Sequence, residues 1–119
     1  MSNSPISACL RILLDECVRT GVRAAFPGHS ISIVSEAGWR GNKEDSLLGL
    51  AERKFDVFLT TDRGTERHVD LRLFALGFVI VLVASNTLAA YLSSFEQLLR
   101  EVESVRKGEA MHLDARPSR

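Results

Sequence analysis

Apolar residues follow two alternating patterns along the chain: short, largely apolar runs, and longer segments in which they recur every three or four positions. The short runs predict β-strands at residues 10–14, 31–34, 56–61, 78–84 and 110–113. The periodic segments predict helices at residues 18–26, 42–54, 65–75 and 86–105, of which the third is the weakest. The run 78–84, FVIVLVA, is typical of a strand covered on both faces in a parallel sheet.

Residues that begin or end helices refine these boundaries. Asn42 is expected to cap the second helix, and either Asn86 or Thr87 the last one. Gly77 is expected to end the third helix. The last helix carries a long apolar stripe, which we expect to pack against the core. Two ion pairs one turn apart are expected on its solvent side, Glu96–Arg100 and Glu103–Lys107.

The alternation of strands and helices predicts one α/β domain. We expect a three-layer α/β/α sandwich around a mainly parallel central sheet of four to five strands. A chain of 119 residues suits a single domain, and a hydrophobic fraction of 45% is ordinary for a globular protein. The domain is expected to span residues 10–113, with tails at 1–9 and 114–119.

Charge, cysteine content and hydropathy narrow the class of protein. The 15 Lys and Arg balance the 15 Asp and Glu, so a nucleic-acid partner would require a local grouping of basic residues. Cys9 and Cys17 lack the spacing of a metal site and are expected to be reduced thiols. There is no signal-peptide pattern, and the longest apolar run is far shorter than the ~20 residues of a membrane span. We therefore expect a cytoplasmic protein without membrane association.

Carboxylates follow the predicted strands. Asp15 and Glu16 come directly after the first strand, Asp62 follows the third, and Glu44 and Asp45 begin the helix that leads into the third. Ligands of open α/β sheets lie beyond the carboxyl ends of the strands, so these acids are expected to converge on one cleft. Converging carboxylates repel one another unless a cation lies among them. Oxygen ligands suit Mg²⁺ or Mn²⁺, which can activate water against a phosphodiester.

Each acid also has a simpler interpretation. Asp15 could cap the following helix, and Glu44 and Asp45 could only complement a helix dipole. Asp62 could be a turn residue. These interpretations stay open for each segment, but together they require three segments to place acids at one edge by chance.

Three motifs resemble the PIN-like nuclease domains of bacteria: RILLDEC at 11–17, EDSLLGLAE at 44–52 and DVFLTTDR at 56–63. The similarity is to the compact members with an L-L-D-E motif and a T-x-D strand end, and it covers about residues 10–113. It implies a Mg²⁺- or Mn²⁺-dependent endoribonuclease that hydrolyses RNA. Many such domains are the toxin component of a bacterial toxin–antitoxin pair, so a cognate antitoxin is an implied partner.

The resemblance also implies roles for individual residues. Asp15, Glu44 and Asp62 match the metal-binding acids, with Asp45 as the fallback for the middle position. Glu16 matches the second acid of the L-L-D-E motif, where it would assist the metal or activate water.

The chain departs from the family after Asp62. Many relatives continue T-x-D-x-D-F, whereas here Arg63 and Gly64 follow and the second acid is missing. The alternative function is therefore a PIN-like module with weak or absent catalysis that binds a partner protein or RNA. A phosphatase is a third option, but it would require a D-x-D run that residues 15–17 do not supply.

Basic and apolar residues near the acids suggest partners. Four cations are expected to hold RNA phosphates, or else to form ordinary surface ion pairs: Arg63, Arg67, Arg40 and Lys43. Arg63 and Arg67 would be one turn apart if both are helical. Trp39 could stack on a base or pack over the edge of the core. Part of the apolar stripe of the last helix could form a homodimer or receive an antitoxin segment.

Overall fold

The computed structural model describes residues 9–39, 41, 43–85 and 87–116, apart from the side chain of Glu44. Its strands are β1 Arg11–Leu14, β2 Ser30–Ile33, β3 Val57–Thr60, β4 Gly77–Leu82 and β5 Ala110–Asp114. Its α-helices are α1 Glu44–Ala51, α2 Thr65–His68, α3 Leu88–Leu92 and α4 Phe95–Ser104. Two 3₁₀ helices are also formed, Thr20–Ala25 and Leu71–Leu73. None of the helices in these ranges is long and apolar enough to cross a membrane.

The five strands form one sheet in the order β2-β1-β3-β4-β5, and all neighbouring pairs are parallel. The chain leaves β1 toward one edge of the sheet to form β2, and returns past β1 to add β3, β4 and β5 toward the other edge. The order therefore reverses between β1 and β3. The carboxyl ends of these two strands flank the crevice where open α/β sheets bind their ligands.

Side chains of each strand alternate between two apolar cores, one on each face of the sheet. On the first face, Ile12 and Leu14 pack with residues of α3, α4 and the first 3₁₀ helix. On the second face, Leu13, Phe58 and Phe78 pack with α1. The chain is thus α/β with a fully parallel five-stranded sheet, compatible with the predicted three-layer arrangement.

Two predicted helices differ in form from the expectation. Residues 18–26 give a 3₁₀ helix over Thr20–Ala25, where β-branched residues and Gly21 disfavour a longer α-helix. The segment 65–75 divides into α2 and the 3₁₀ helix Leu71–Leu73, whose N-cap Asp70 accepts from the backbone N–H of Arg72.

The predicted last helix is broken between α3 and α4 at Ser93 and Ser94, and serine favours helix ends over helix interiors. The break changes which residues of the apolar stripe are buried. Tyr91 and Leu98 lie in the core as expected, whereas Leu92 is 55% exposed. Leu88 is also exposed.

Of the two ion pairs predicted for the last helix, one is formed and the other is not. Arg100 contacts Glu96 at 3.7 Å, as expected. Glu103 instead contacts Nε2 of His29 at 2.9 Å, because α4 ends at Ser104 and Lys107 is no longer one helical turn away.

Gly77 was expected to end a helix, but it is the first residue of β4. A Cβ atom added there would lie 2.6 Å from Cγ1 of Val105, so this position admits only glycine without rearrangement. At the other end of the domain, β5 continues to Asp114, one residue past the predicted boundary. The buried Ala115 then donates its N–H to the carbonyl of Leu82 at 2.8 Å.

Candidate functional site

Asp15 lies at the carboxyl end of β1, next to β3. Its backbone N–H donates to the carbonyl of Leu59 at 2.9 Å, so the pairing of the two strands continues past the end of β1. Its half-buried side chain accepts from the N–H of Glu16 through Oδ1 at 2.8 Å, and from the hydroxyl of Thr60 through Oδ2 at 2.7 Å. The thiol of Cys17 lies 3.5 Å from the same Oδ2. The carboxylate is therefore fixed by local and cross-strand contacts.

Thr60, the last residue of β3, connects two of the predicted site residues. Its side chain is fully buried, and its oxygen accepts from the backbone N–H of Asp62 at 3.0 Å. The proton of the same hydroxyl is donated to Asp15. One hydroxyl thus holds the Asp15 carboxylate and the backbone of Asp62 together, and the structure brings these two acids to the same point of the edge.

Asp62 is exposed and begins the turn that leads into α2. Its Oδ1 accepts from the N–H of Gly64 at 2.8 Å, which is a typical aspartate turn. A Cβ atom at Gly64 would lie 3.0 Å from that oxygen, so glycine allows the close approach. Asp62 is therefore a turn residue and a strand-end acid at the same time.

The middle acid belongs to the first turn of α1. This helix crosses from β2 back to the start of β3, so it runs antiparallel to the strands and begins at their carboxyl edge. Lys43 is the N-cap and makes no side-chain capping bond, while the predicted cap Asn42 lies outside the described residues. Asp45 is exposed, and its Oδ1 accepts from the N–H of Ser46 at 2.8 Å. The side chain of Glu44 is not described, so Glu44 as the middle acid stays a prediction.

Asp15 and Asp62 could supply oxygen ligands to a metal ion. Within the described ranges, no group of three or more His, Cys, Asp or Glu side chains is arranged to hold one. However, Mg²⁺ usually keeps several waters and needs only one or two carboxylates together with substrate phosphate. A carboxylate has about four lone-pair positions. Asp15 uses three of them to accept from protein donors, and Asp62 uses one. Both acids therefore keep lone-pair positions that Mg²⁺ or Mn²⁺ could use, with waters or α1 completing the shell.

The candidate substrate-binding cations occupy different places. Arg63 lies before the start of α2, so Arg63 and Arg67 are not one turn apart on a helix. Arg63 lines a cavity at the ends of β4 and β5. Arg67 lines a wider hollow of about 450 Å³ between α2 and the start of β5. Lys43 is exposed beside the start of α1, and Arg40 lies outside the described residues.

Two side-chain pairs lie near β5 at the same end of the sheet. Nε2 of His112 contacts Oε2 of Glu66 in α2 at 2.7 Å. The carboxylate of Asp114 accepts from both the guanidinium and the backbone N–H of Arg116, and these bonds lower the pKa of Asp114 to about 2. Asp114 is therefore ionised at neutral pH.

Trp39 packs over the edge of the core, which was one of its two predicted roles. Its ring meets that of Phe55 edge to face, with 5.8 Å between the ring centres and 87° between the planes. It also contacts the apolar cluster of the second sheet face. This packing leaves base stacking by Trp39 without support from the geometry.

Sequence reasoning missed Thr60 and Cys17 as members of the site. The signal for Thr60 was present, because it is the threonine of the T-x-D motif, Thr60-Thr61-Asp62. Cys17 lies 3.5 Å from both the Asp15 carboxylate and the Thr60 hydroxyl. No motif in the sequence indicated this contact, since it depends on how the chain turns after β1.

Comparisons with known proteins do not assign the chain to a family. No protein-family model, curated protein or solved structure matches it. The PIN-like resemblance and the activity it implies therefore remain predictions.

Proposed function

We propose that the chain is a PIN-like, Mg²⁺- or Mn²⁺-dependent endoribonuclease. The observation that carries this proposal is the shared hydroxyl of Thr60, which joins Asp15 and Asp62 at the topological switch point of the sheet. Two hard oxygen ligands at a switch point are suited to a metal ion that acts on a phosphodiester.

The residues of the site would have distinct roles. Asp15 and Asp62 would bind the metal, with Glu44, or Asp45 in its place, as the third acid. Glu16 would orient or deprotonate the attacking water. The bound metal would supply Lewis acidity and a water of lowered pKa.

Neighbouring groups would position these ligands and the substrate. The Thr60 hydroxyl fixes the rotamer of Asp15, and the Gly64 N–H fixes that of Asp62. Arg63 is exposed directly after Asp62, where its guanidinium would neutralise a substrate phosphate.

Cleavage of end-labelled RNA tests the proposal. The wild type should cleave the RNA with Mg²⁺ or Mn²⁺, and EDTA should stop the cleavage. Asp15→Asn and Asp62→Asn should each lower the rate by about 100-fold or more, because each removes a charged metal ligand. Asp70→Asn is the matched control, since Asp70 is an exposed acid of the same domain that pairs with Arg72. Equal cleavage by the wild type and Asp15→Asn would refute the assignment.

A second candidate is a non-catalytic module that binds RNA or a partner protein. Two observations favour it: Arg63 and Gly64 stand where many relatives have a further acid, and three protein donors already occupy the Asp15 carboxylate. In this case RNA would bind without being cleaved, and binding would be unchanged by EDTA.

We propose that the enzyme is the toxin of a toxin–antitoxin pair. This proposal rests on the resemblance alone. Expression of the wild type in a bacterial host should then arrest growth, and Asp15→Asn should not. A neighbouring short gene for a DNA-binding antitoxin should relieve the arrest. If the wild type and Asp15→Asn are expressed at equal levels and growth is undiminished with both, the toxin role is contradicted.

A further inference from the structure

A cavity of about 220 Å³ lies at the carboxyl ends of β4 and β5, beside the proposed metal site. Its volume is below the ~300–1,000 Å³ of sites for drug-sized ligands, so it suits a single ring system. Its lining combines three aliphatic and three polar or charged residues: Ile80, Leu82, Leu113, Arg63, His112 and Asp114.

The register of the sheet places this cavity relative to the acids. Leu14 pairs with Leu59, so Asp15 lies level with Thr60, and Thr60 pairs with Ile80. Because side chains alternate along strands, these three residues lie on the same face of neighbouring strands. With about 4.8 Å between strands, the cavity begins roughly 10 Å from Asp15. A bound nucleotide spans such a separation between its phosphate and its base.

The chemistry of the cavity matches a flat ring with a polar edge. Leu82 and Ile80 offer an apolar surface on which the ring can lie. Of about four lone-pair positions on the Asp114 carboxylate, Arg116 uses three, and the fourth can accept from a ring N–H. Arg63 is exposed at the rim and, within the described part of the chain, forms no ion pair. Its guanidinium is therefore available to an anion beside the ring.

We propose that this cavity binds a nucleobase of the RNA adjacent to the reacting phosphate, with Arg63 on the phosphate of that nucleotide. This inference rests on the proposed ribonuclease function and adds a base-binding subsite to it. A base held at a fixed distance from the metal would decide which phosphodiester is presented for hydrolysis.

Methyl NMR of the metal-free protein tests the subsite without catalysis. Nucleoside 5′-monophosphates should shift the methyl signals of Ile80 and Leu82, whereas ribose 5-phosphate, which has the phosphate but no base, should not. Equal shifts with ribose 5-phosphate would show that only an anion is recognised, and would overturn the proposal. An absence of methyl shifts with all four monophosphates would also overturn it.

A pair of variants adds a steric test. Leu82→Phe fills the cavity and should weaken monophosphate binding by about tenfold or more. Leu92→Phe makes the same change at an exposed position of α3 and should leave binding unchanged. Unaltered binding by a folded Leu82→Phe variant would contradict the proposal.

The two proposals fail in distinguishable ways. RNA cleavage without base-dependent methyl shifts would refute the subsite and leave the nuclease. Base-dependent shifts in a protein that cleaves no RNA would support the subsite and refute the nuclease.

Discussion

The hydroxyl of Thr60 donates to Oδ2 of Asp15 at 2.7 Å and accepts from the backbone N–H of Asp62 at 3.0 Å. This contact joins the ends of β1 and β3, the two strands between which the strand order of the sheet reverses. A fully buried threonine at this point leaves its hydroxyl few other partners, so the Asp15 carboxylate and the Asp62 backbone are held together by the fold itself. The proposed metal site depends on this connection.

Thr60→Val tests that connection, because valine keeps the shape of threonine and removes the hydroxyl. The N–H of Asp62 then loses its acceptor and Asp15 loses a donor. We expect unfolding free energy to fall by about 1–3 kcal/mol and metal affinity by about 10–100-fold. Thr61→Val, one residue away, should change stability by no more than about 0.5 kcal/mol. Equal stability of the two variants in urea denaturation would contradict the role of the hydroxyl.

Two glycine substitutions test the packing of the sheet against the end of α4. Gly77→Ala should destabilise the fold by about 1–3 kcal/mol, because its Cβ would lie 2.6 Å from Cγ1 of Val105. Gly49→Ala is the matched control inside α1, where nothing lies within 4 Å of an added Cβ. It should stabilise the fold by about 0.4–1 kcal/mol. Thermal unfolding that ranks the two variants in the opposite order would show this packing to be wrong.

The strands and the edge that carries the acids could be predicted from the sequence. The run 78–84 indicated a strand buried on both faces, and β4 lies between two parallel neighbours, β3 and β5. Because parallel strands share a carboxyl edge, the positions of Asp15 and Asp62 after their strands were enough to place both acids at that edge. That reasoning needed only the order of elements and a general rule of topology.

The remaining features depend on tertiary contacts that no periodicity encodes. The apolar stripe gave no sign of the break at Ser93 and Ser94, which exposes Leu92. The charge pattern likewise predicted that Glu103 would pair along its own helix, whereas it contacts His29, 74 positions away in the chain. Cross-strand bonding by Thr60 depends equally on the register of β1 and β3.

Asp56 is expected to make stability depend on pH. Burial raises its pKa, but hydrogen bonds from the guanidinium and backbone of Arg11 outweigh this effect, so the pKa is lowered. A carboxylate with a lowered pKa stabilises the fold above its unfolded pKa, about 3.9, and this contribution is lost as pH falls through the folded value. Asp56→Asn should therefore cost about 1–2 kcal/mol at pH 7, and less below about pH 4.

Urea denaturation of the wild type and Asp56→Asn at pH 7 and pH 3 checks this dependence. Asp70→Asn is the comparison: Arg72 lowers the pKa of Asp70 too, but the pair is exposed and only two residues apart, so its pH-dependent effect should be the smaller. If the difference in unfolding free energy between the wild type and Asp56→Asn grows as the pH falls, the pKa of Asp56 is not lowered and the prediction is wrong.

His29 is expected to carry its proton on Nε2 in its neutral form. The backbone N–H of Leu10 donates to Nδ1 at 3.0 Å, and Nε2 lies 2.9 Å from Oε2 of Glu103. Its side chain is only 5% exposed, so water does not replace these contacts. His29→Ala should cost about 1–3 kcal/mol by leaving the Leu10 N–H unsatisfied. Nitrogen NMR that places the neutral proton on Nδ1 would contradict this arrangement.

Calorimetric titration with Mn²⁺ and Mg²⁺ tests the proposed metal site most directly. The wild type and Asp70→Asn should bind one ion with equal affinity, and the Asp15→Asn/Asp62→Asn double variant should not bind. Glu44→Gln and Asp45→Asn, compared in the same titration, would identify the middle acid by the greater loss of affinity. Binding by the double variant as tight as by the wild type, or no binding by a folded wild type, would contradict a metal site at the ends of β1 and β3.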